Sequence, residues 1–307
     1  MPAALRLEFR ALLELYLIPG LTALMPWPLG FRWLRFCSRF AFLYRNEWQA
    51  ALAQARQFVE VGDEALWARQ FRLCRLVDHA DFWISRTRSR RWLRHHTDIA
   101  QDWPQLETPA VGVFFHICPG LWALRSLREQ GVDASVLAGH YSRRSMGGAH
   151  CAYHYGTARL RELQRVSGGP LIFAPGTVRQ AQAVLDGGGW VTGTPDVPPT
   201  ETALGRPVKL FERSAHYAEG LLVIARRAAV PVVIFTFAID LATGRRTLEI
   251  LGVHEPDEPG LLQVIVDHWQ RLLREQSWGF ILWPSMPAWF AVAPQPAEPA
   301  STSPSSI

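Results

Sequence analysis

Residues 230–239 read VPVVIFTFAI, ten positions without a charge and dominated by β-branched and aromatic side chains. Such a run is a strand apolar on both faces, and that strand belongs inside a sheet covered by helices. The turn residues Thr243 and Gly244 predict a partner strand over 246–251. Working back along the chain, short apolar runs at 110–115 (AVGVFF), 132–139, 170–174 (PLIFA) and 190–194 read as further strands. Helical patterns at 121–129, 178–185, 216–229 and 261–275 fall between and after them. Between 139 and 169 the chain is mostly polar. Strands alternating with helices predict an α/β fold, with a mixed, largely buried sheet flanked by helices and preceded by a helical N-terminal lead.

That lead covers residues 1–105. Residues 49–75 are rich in helix-forming Ala, Leu, Gln, Glu and Arg. Near the start, Leu5, Phe9, Leu12, Leu13, Tyr16 and Leu17 recur at helical spacing, with Arg6, Arg10 and Glu14 on the other side. This amphipathic helix either packs its apolar side on the core or lies in a membrane interface, drawn by arginine to anionic lipid. Residues 15–31 carry no charge but are short for a span and hold Pro19, Pro26 and Pro28. Residues 85–96 set Arg86, Arg88, Arg90, Arg91 and Arg94 around Trp92, as a solvated face or a contact for lipid phosphate. Residues 106–290 form the α/β core. Residues 277–297, uncharged and holding Trp278, Trp283 and Trp289, predict an aromatic flap, and residues 291–307 a disordered Pro/Ala/Ser tail.

Composition narrows the function. Of 307 residues, 49% are hydrophobic and 19% charged, which excludes wholesale disorder. Mean hydropathy is +0.01, too low for a protein with several membrane spans. Lys209 is the only lysine, so 31 of the 32 basic residues are arginine, whose planar fork suits phosphate and carboxylate. Thirteen tryptophans in a basic chain point to a membrane–water interface. A net charge of +5 over this length gives little support to nucleic-acid binding. The four cysteines show no CxxC spacing, against a disulfide framework or zinc site. Glu8 and Glu14 interrupt any secretory signal.

The chemistry centres on His116, at the end of the strand over 110–115, where open α/β sheets place their sites and where histidine can serve as general base. Cys118 nearby is either a nucleophile for a covalent acyl-enzyme or a small buried hydrophobe. His150 and His154 stand four apart without a third metal ligand, so no metal is expected. His216 and Glu219 read as the start of a helix. Arg159, Arg161 and Arg165 cluster on a helical segment, to hold a phosphate or to face solvent.

In order and spacing, FFHICPGLW, GGGWVTGTPDVPP, GRPVKLF and VPVVIFTFAID resemble the lysophospholipid acyltransferase superfamily. More narrowly they are similar to the late lauroyl and myristoyl transferases of bacterial lipid A synthesis. Gly188, Val191, Pro195 and Asp196 stand for the middle motif of that family, Pro207, Leu210 and Phe211 for the next, and Val230 to Val233 for the last. The resemblance implies acyl transfer from an acyl carrier protein or coenzyme A thioester to an anionic lipid acceptor of the lipid A precursor kind. It implies a peripheral or monotopic protein at the cytoplasmic face of a bacterial inner membrane, with no bound cofactor. His116 would be the base, with Pro195, Phe211 and the three arginines toward substrate. The family's HxxxxD/E motif is broken here, because Leu121 stands five positions after His116. Three outcomes follow: Asp196 supplies the acid, the histidine works alone, or a catalytically silent protein keeps the fold to bind lipid or a partner acyltransferase.

Overall fold

The computed structural model describes residues 2–99, 103–117, 120–144, 147–198 and 205–291. The lead is helical: α1 (Ala3–Ala11), a π-helical stretch (Leu12–Leu17), α2 (Ile18–Leu24), α3 (Trp27–Cys37), α4 (Arg45–Ala55), α5 (Glu64–Thr87) and α6 (Arg90–His95). The helix predicted over 49–75 is two helices. They part at residues 56–63, where Asp63 caps α5 by accepting from the N–H groups of Ala65 and Leu66. Pro19 has no N–H for the carbonyl of Leu15, four residues back. The wide π turn carries the helix past it, and the Trp83 indole donates to the Leu15 carbonyl at 2.8 Å.

The amphipathic helix sits against expectation. Glu14, assigned to the outer side, is 7% exposed, while Phe9, assigned to the apolar side, is 54% exposed. The Glu14 carboxylate accepts the Tyr44 N–H at 2.6 Å, and its carbonyl accepts the Tyr44 hydroxyl at 2.8 Å. Leu5, Leu7, Leu12, Leu17, Leu21, Leu24, Leu29, Phe36, Phe40 and Phe42 are also exposed, so most of the exposed large apolar side chains among the described residues fall in the first 42 positions; Leu66, Tyr141 and Val253 are the others.

The remaining elements are β1 (Thr97–Ile99), β2 (Val111–Val113), α7 (Leu121–Glu129), β3 (Ala134–Leu137), α8 (His150–Ser167), β4 (Gly168–Ile172), α9 (Thr177–Asp186), β5 (Trp190–Gly193), β6 (Gly205–Leu210), β7 (Arg213–Ala218), α10 (Gly220–Ala228), β8 (Val232–Ile239), β9 (Arg246–His254), α11 (Leu261–Glu275) and α12 (Pro287–Phe290). The expected α/β fold is present. Seven strands form one mixed sheet in the order β1-β9-β8-β2-β5-β3-β4, in which β8, β2, β5, β3 and β4 run parallel and β9 runs antiparallel to β8. Gly112 lets β2 lie tight between its neighbours, since a Cβ there would stand 2.8 Å from Thr192 Cγ2 and 3.2 Å from Phe235 Cε1.

The polar segment before 169 holds the long helix α8, which includes the helical segment read at Arg159, Arg161 and Arg165. The helix predicted from His216 begins only at Gly220, because His216 lies in β7 and Glu219 is the helix N-cap. A two-residue turn at Phe211 and Glu212, both with positive φ, folds β6 back on β7 without the usual glycine or asparagine signal. The tryptophans fill the core rather than an interface: Trp27, Trp67, Trp103, Trp122, Trp190, Trp269, Trp283 and Trp289 are buried. The aromatic flap is therefore part of the core, with Trp269 against Trp289 and Phe280 against Trp283. One apolar cluster runs from Ile18 to Trp289, so the lead and the sheet share a core. The tail from residue 292 lies outside the described residues.

Candidate active site

β2 and β5 are parallel neighbours with Val113 opposite Gly193. Three residues past each of these positions stand His116 and Asp196, so the register of two strands brings them together at the carboxyl end of the sheet. Asp196 Oδ2 accepts the backbone N–H of His116 at 2.6 Å, and its Oδ1 lies 2.8 Å from His116 Nδ1. An ionised carboxylate only accepts, so Nδ1 carries the proton and Nε2 of the neutral ring presents a lone pair. Asp196 is fully buried, whereas 34% of the His116 side chain is exposed. Among the described residues Thr194 Oγ1 lies 3.4 Å from Nε2, a weak contact that leaves the nitrogen open to a reacting hydroxyl. The chain after His116 is pinned from below by a bridge between Ile117 and Phe280.

Burial disfavours the imidazolium of His116, yet the charge and hydrogen bond of Asp196 outweigh it, and the pKa lies above the ordinary histidine value. A second, weaker pair of charges reaches the ring: Asp78 on α5 favours the imidazolium and Arg159 on α8 opposes it. These two residues are bonded to each other, Arg159 Nη2 donating to Asp78 Oδ1 at 2.6 Å. Tyr217 on β7 is fully buried, and its hydroxyl has no partner among the described residues. Burial, helped by the Asp196 charge, drives its pKa well up, so it stays a neutral phenol.

Leu121, at the position where the HxxxxD/E motif has its acid, is 5% exposed on the inner face of α7. The carboxylate at Nδ1 comes from Asp196 past the end of β5, and not from α7. Pro195 is buried between Thr194 and Asp196. The three arginines do not form one cluster. Arg159 is committed to Asp78, Arg161 is exposed, and Arg165 pairs with Glu162 and donates to the Ser85 carbonyl. Phe211 sits at the tip of the β6–β7 hairpin against Phe58, and none of its recorded contacts involves the His116–Asp196 pair. The N–H groups of His150 and Cys151 donate to Glu8, which caps α8 from α1, and His154 is exposed. Among the described residues no group of three or more His, Cys, Asp or Glu is placed to hold a metal. Cys118 lies outside the described residues.

Thr194, Asp78 and Tyr217 escaped the sequence. Thr194 could have been found, because it directly precedes the Pro195–Asp196 step and so shares the strand end. The pairing of Asp78 with Arg159 links two helices 81 residues apart, for which no local pattern exists. The chain matches no protein-family model and no curated protein sequence.

Proposed function

We propose that the protein is a membrane-associated acyltransferase that moves a fatty acyl group from an acyl carrier protein or coenzyme A thioester to a hydroxyl of a lipid or glycolipid acceptor. The observation that carries this is the His116–Asp196 dyad, with a buried acid on Nδ1 and an open Nε2 at the carboxyl end of a parallel sheet. In the proposed reaction the acceptor hydroxyl gives its proton to Nε2 as its oxygen attacks the thioester carbonyl. The carbon–oxygen bond forms, the carbon–sulfur bond breaks, and the proton passes from the imidazolium to the departing thiolate. Asp196 fixes the tautomer and stabilises the imidazolium at the step where it exists. Thr194 and the pair Asp78–Arg159 set the field around the ring.

The outward apolar band of α1–α3 supports work at a lipid surface. Phe and Leu would enter the acyl boundary, and the exposed Arg6, Arg32, Arg35 and Arg39 would meet anionic headgroups. No helix among the described residues is long and apolar enough to cross a membrane, so attachment through one leaflet is the matching mode. Acyl carrier protein and coenzyme A donors would put that leaflet on the cytoplasmic side of a bacterial inner membrane, and lipid A precursors are the acceptor class that the sequence resemblance suggests. A catalytically silent protein was suggested by Leu121 alone, and Asp196 on Nδ1 weakens that ground.

The test is acyl transfer by detergent-purified protein, offered acyl carrier protein and coenzyme A thioesters of several chain lengths with total bacterial lipid extract and followed by mass spectrometry. A new acylated lipid made by the wild type and lost with His116→Ala supports the proposal. The same product made by His116→Ala, or none by either protein where a known lipid A acyltransferase works, overturns it.

A further inference from the structure

At the far end of α7 from Leu121, about 13 Å along a nine-residue helix, a second polar site stands apart from the dyad. Arg90, Arg125, Arg128, Arg165, Glu129 and Val166 line an open cleft of about 40 Å³. That is room for about three waters at the ~10–15 Å³ each requires, the scale of one phosphoryl group.

The positive charge in this cleft is poorly matched. Arg165 is paired with Glu162, and Arg128 lies 3.4 Å from Asp133. The exposed Arg90 side chain makes no hydrogen bond or ion pair among the described residues. Among the described residues Arg125 is held through Nη1 alone, on the neutral carbonyl and hydroxyl of Ser85. Burial, with Arg165 and Arg90 close by, pulls the Arg125 pKa below the usual arginine value. Guanidinium groups crowded in this way, with free forks, call for an oxyanion.

Glu129 refines which oxyanion. It lines the same cleft, and among the described residues its buried Oε1 has no partner, while its Oε2 lies 3.9 Å from Arg94. An orphaned acceptor beside free arginine donors fits an anion that also carries a proton to give. A phosphate monoester is mostly dianionic at neutral pH, but its second pKa near 6 leaves about one molecule in ten with a P–OH for Glu129 to select, whereas sulfate at neutral pH has none. We propose that this cleft binds a phosphate monoester group, with Arg90 and Arg125 holding its oxygens, Arg128 and Arg165 closing the rim, and its P–OH donating to Glu129. The site is independent of the chemistry assigned to His116.

Isothermal titration of the full chain with inorganic phosphate and with sulfate tests it. The wild type should bind phosphate saturably and sulfate at least about tenfold more weakly. Arg90→Gln and Arg125→Gln should each weaken phosphate by about tenfold or more. Glu129→Gln should erase the preference over sulfate, while His116→Ala and the remote Arg227→Gln should leave binding unchanged. Arg90 is exposed and unpaired, so its variant keeps the fold, which a melting curve checks. Non-saturable binding, or equal binding by wild type, Arg90→Gln and Arg125→Gln, means an adventitious ion only and overturns the proposal. Two further arms separate the sources of the group. Arg90-dependent recruitment to vesicles of phosphatidic acid in phosphatidylcholine assigns the site to a lipid headgroup. Equal recruitment of wild type and Arg90→Gln, with glycerol 3-phosphate binding as phosphate does, assigns it to a soluble phosphomonoester.

Discussion

Two fully buried aspartates have opposite surroundings. Asp81 on α5 faces Arg246 on β9, and neither side chain is exposed. The guanidinium carbon of Arg246 lies 4.0 Å from the ring centre of Trp27 and 4.1 Å from that of Trp122, so both of its faces are covered. Its third fork reaches the Gly244 carbonyl at 2.8 Å. Each of the three guanidinium nitrogens has an acceptor inside the protein. Asp196 instead faces an imidazole of which only Nδ1 is engaged, so Nε2 remains open. A buried acid with a sealed partner ties elements together, whereas one with a half-exposed, titratable partner can move a proton.

The largest effect separates the two pairs by stability. Arg246→Ala strands an uncompensated carboxylate, and urea denaturation should show a loss of about 3–5 kcal/mol. Replacing both partners, Asp81→Leu with Arg246→Met, should recover most of it. The next effect tests whether the broken motif matters. Leu121→Asp would place a carboxylate on the buried face of α7 and cost about 2–3 kcal/mol, with no gain in transfer rate because Nδ1 is already occupied. A rate increase in that variant would show that Asp196 is an incomplete substitute.

Smaller effects concern the charge state of His116. A folded-state pKa above the ordinary histidine value gives stability that is fully present below that value and lost as pH rises through the raised one. In Asp196→Asn, burial is no longer opposed by a charge, so the His116 resonance followed by NMR should titrate below its wild-type midpoint. The smallest stability change belongs to the outward band. Phe9→Asp with Leu12→Asp alters exposed side chains, so the melting free energy should shift by no more than about 0.5 kcal/mol per site. Co-flotation with anionic vesicles should fall sharply in the same variant.

The α/β plan was legible because residues 230–239 and 190–194 are apolar on both faces, a pattern with one structural solution. His116 and Asp196 were legible singly, each at the end of a recognisable strand. Their contact was not, since it depends on β2 and β5 being neighbours, which strand patterns do not encode. The side of α1 that faces inward was lost for a related reason. Periodicity separates Phe9 from Glu14 but does not say which one meets the core, and here Tyr44 claims the glutamate. The β6–β7 turn was hidden because Phe211 and Glu212 adopt positive φ without glycine.

The central claim is that Asp196 serves His116 as the acid missing from position 121. Single-turnover acyl transfer by the wild type, Asp196→Asn and His116→Ala tests it most directly. Each substitution should slow transfer by about 10²–10⁴-fold while melting stays cooperative, and the alkaline-rising limb of the wild-type pH profile should move to lower pH in Asp196→Asn. Wild-type rates in Asp196→Asn, with transfer still lost in His116→Ala, would contradict it.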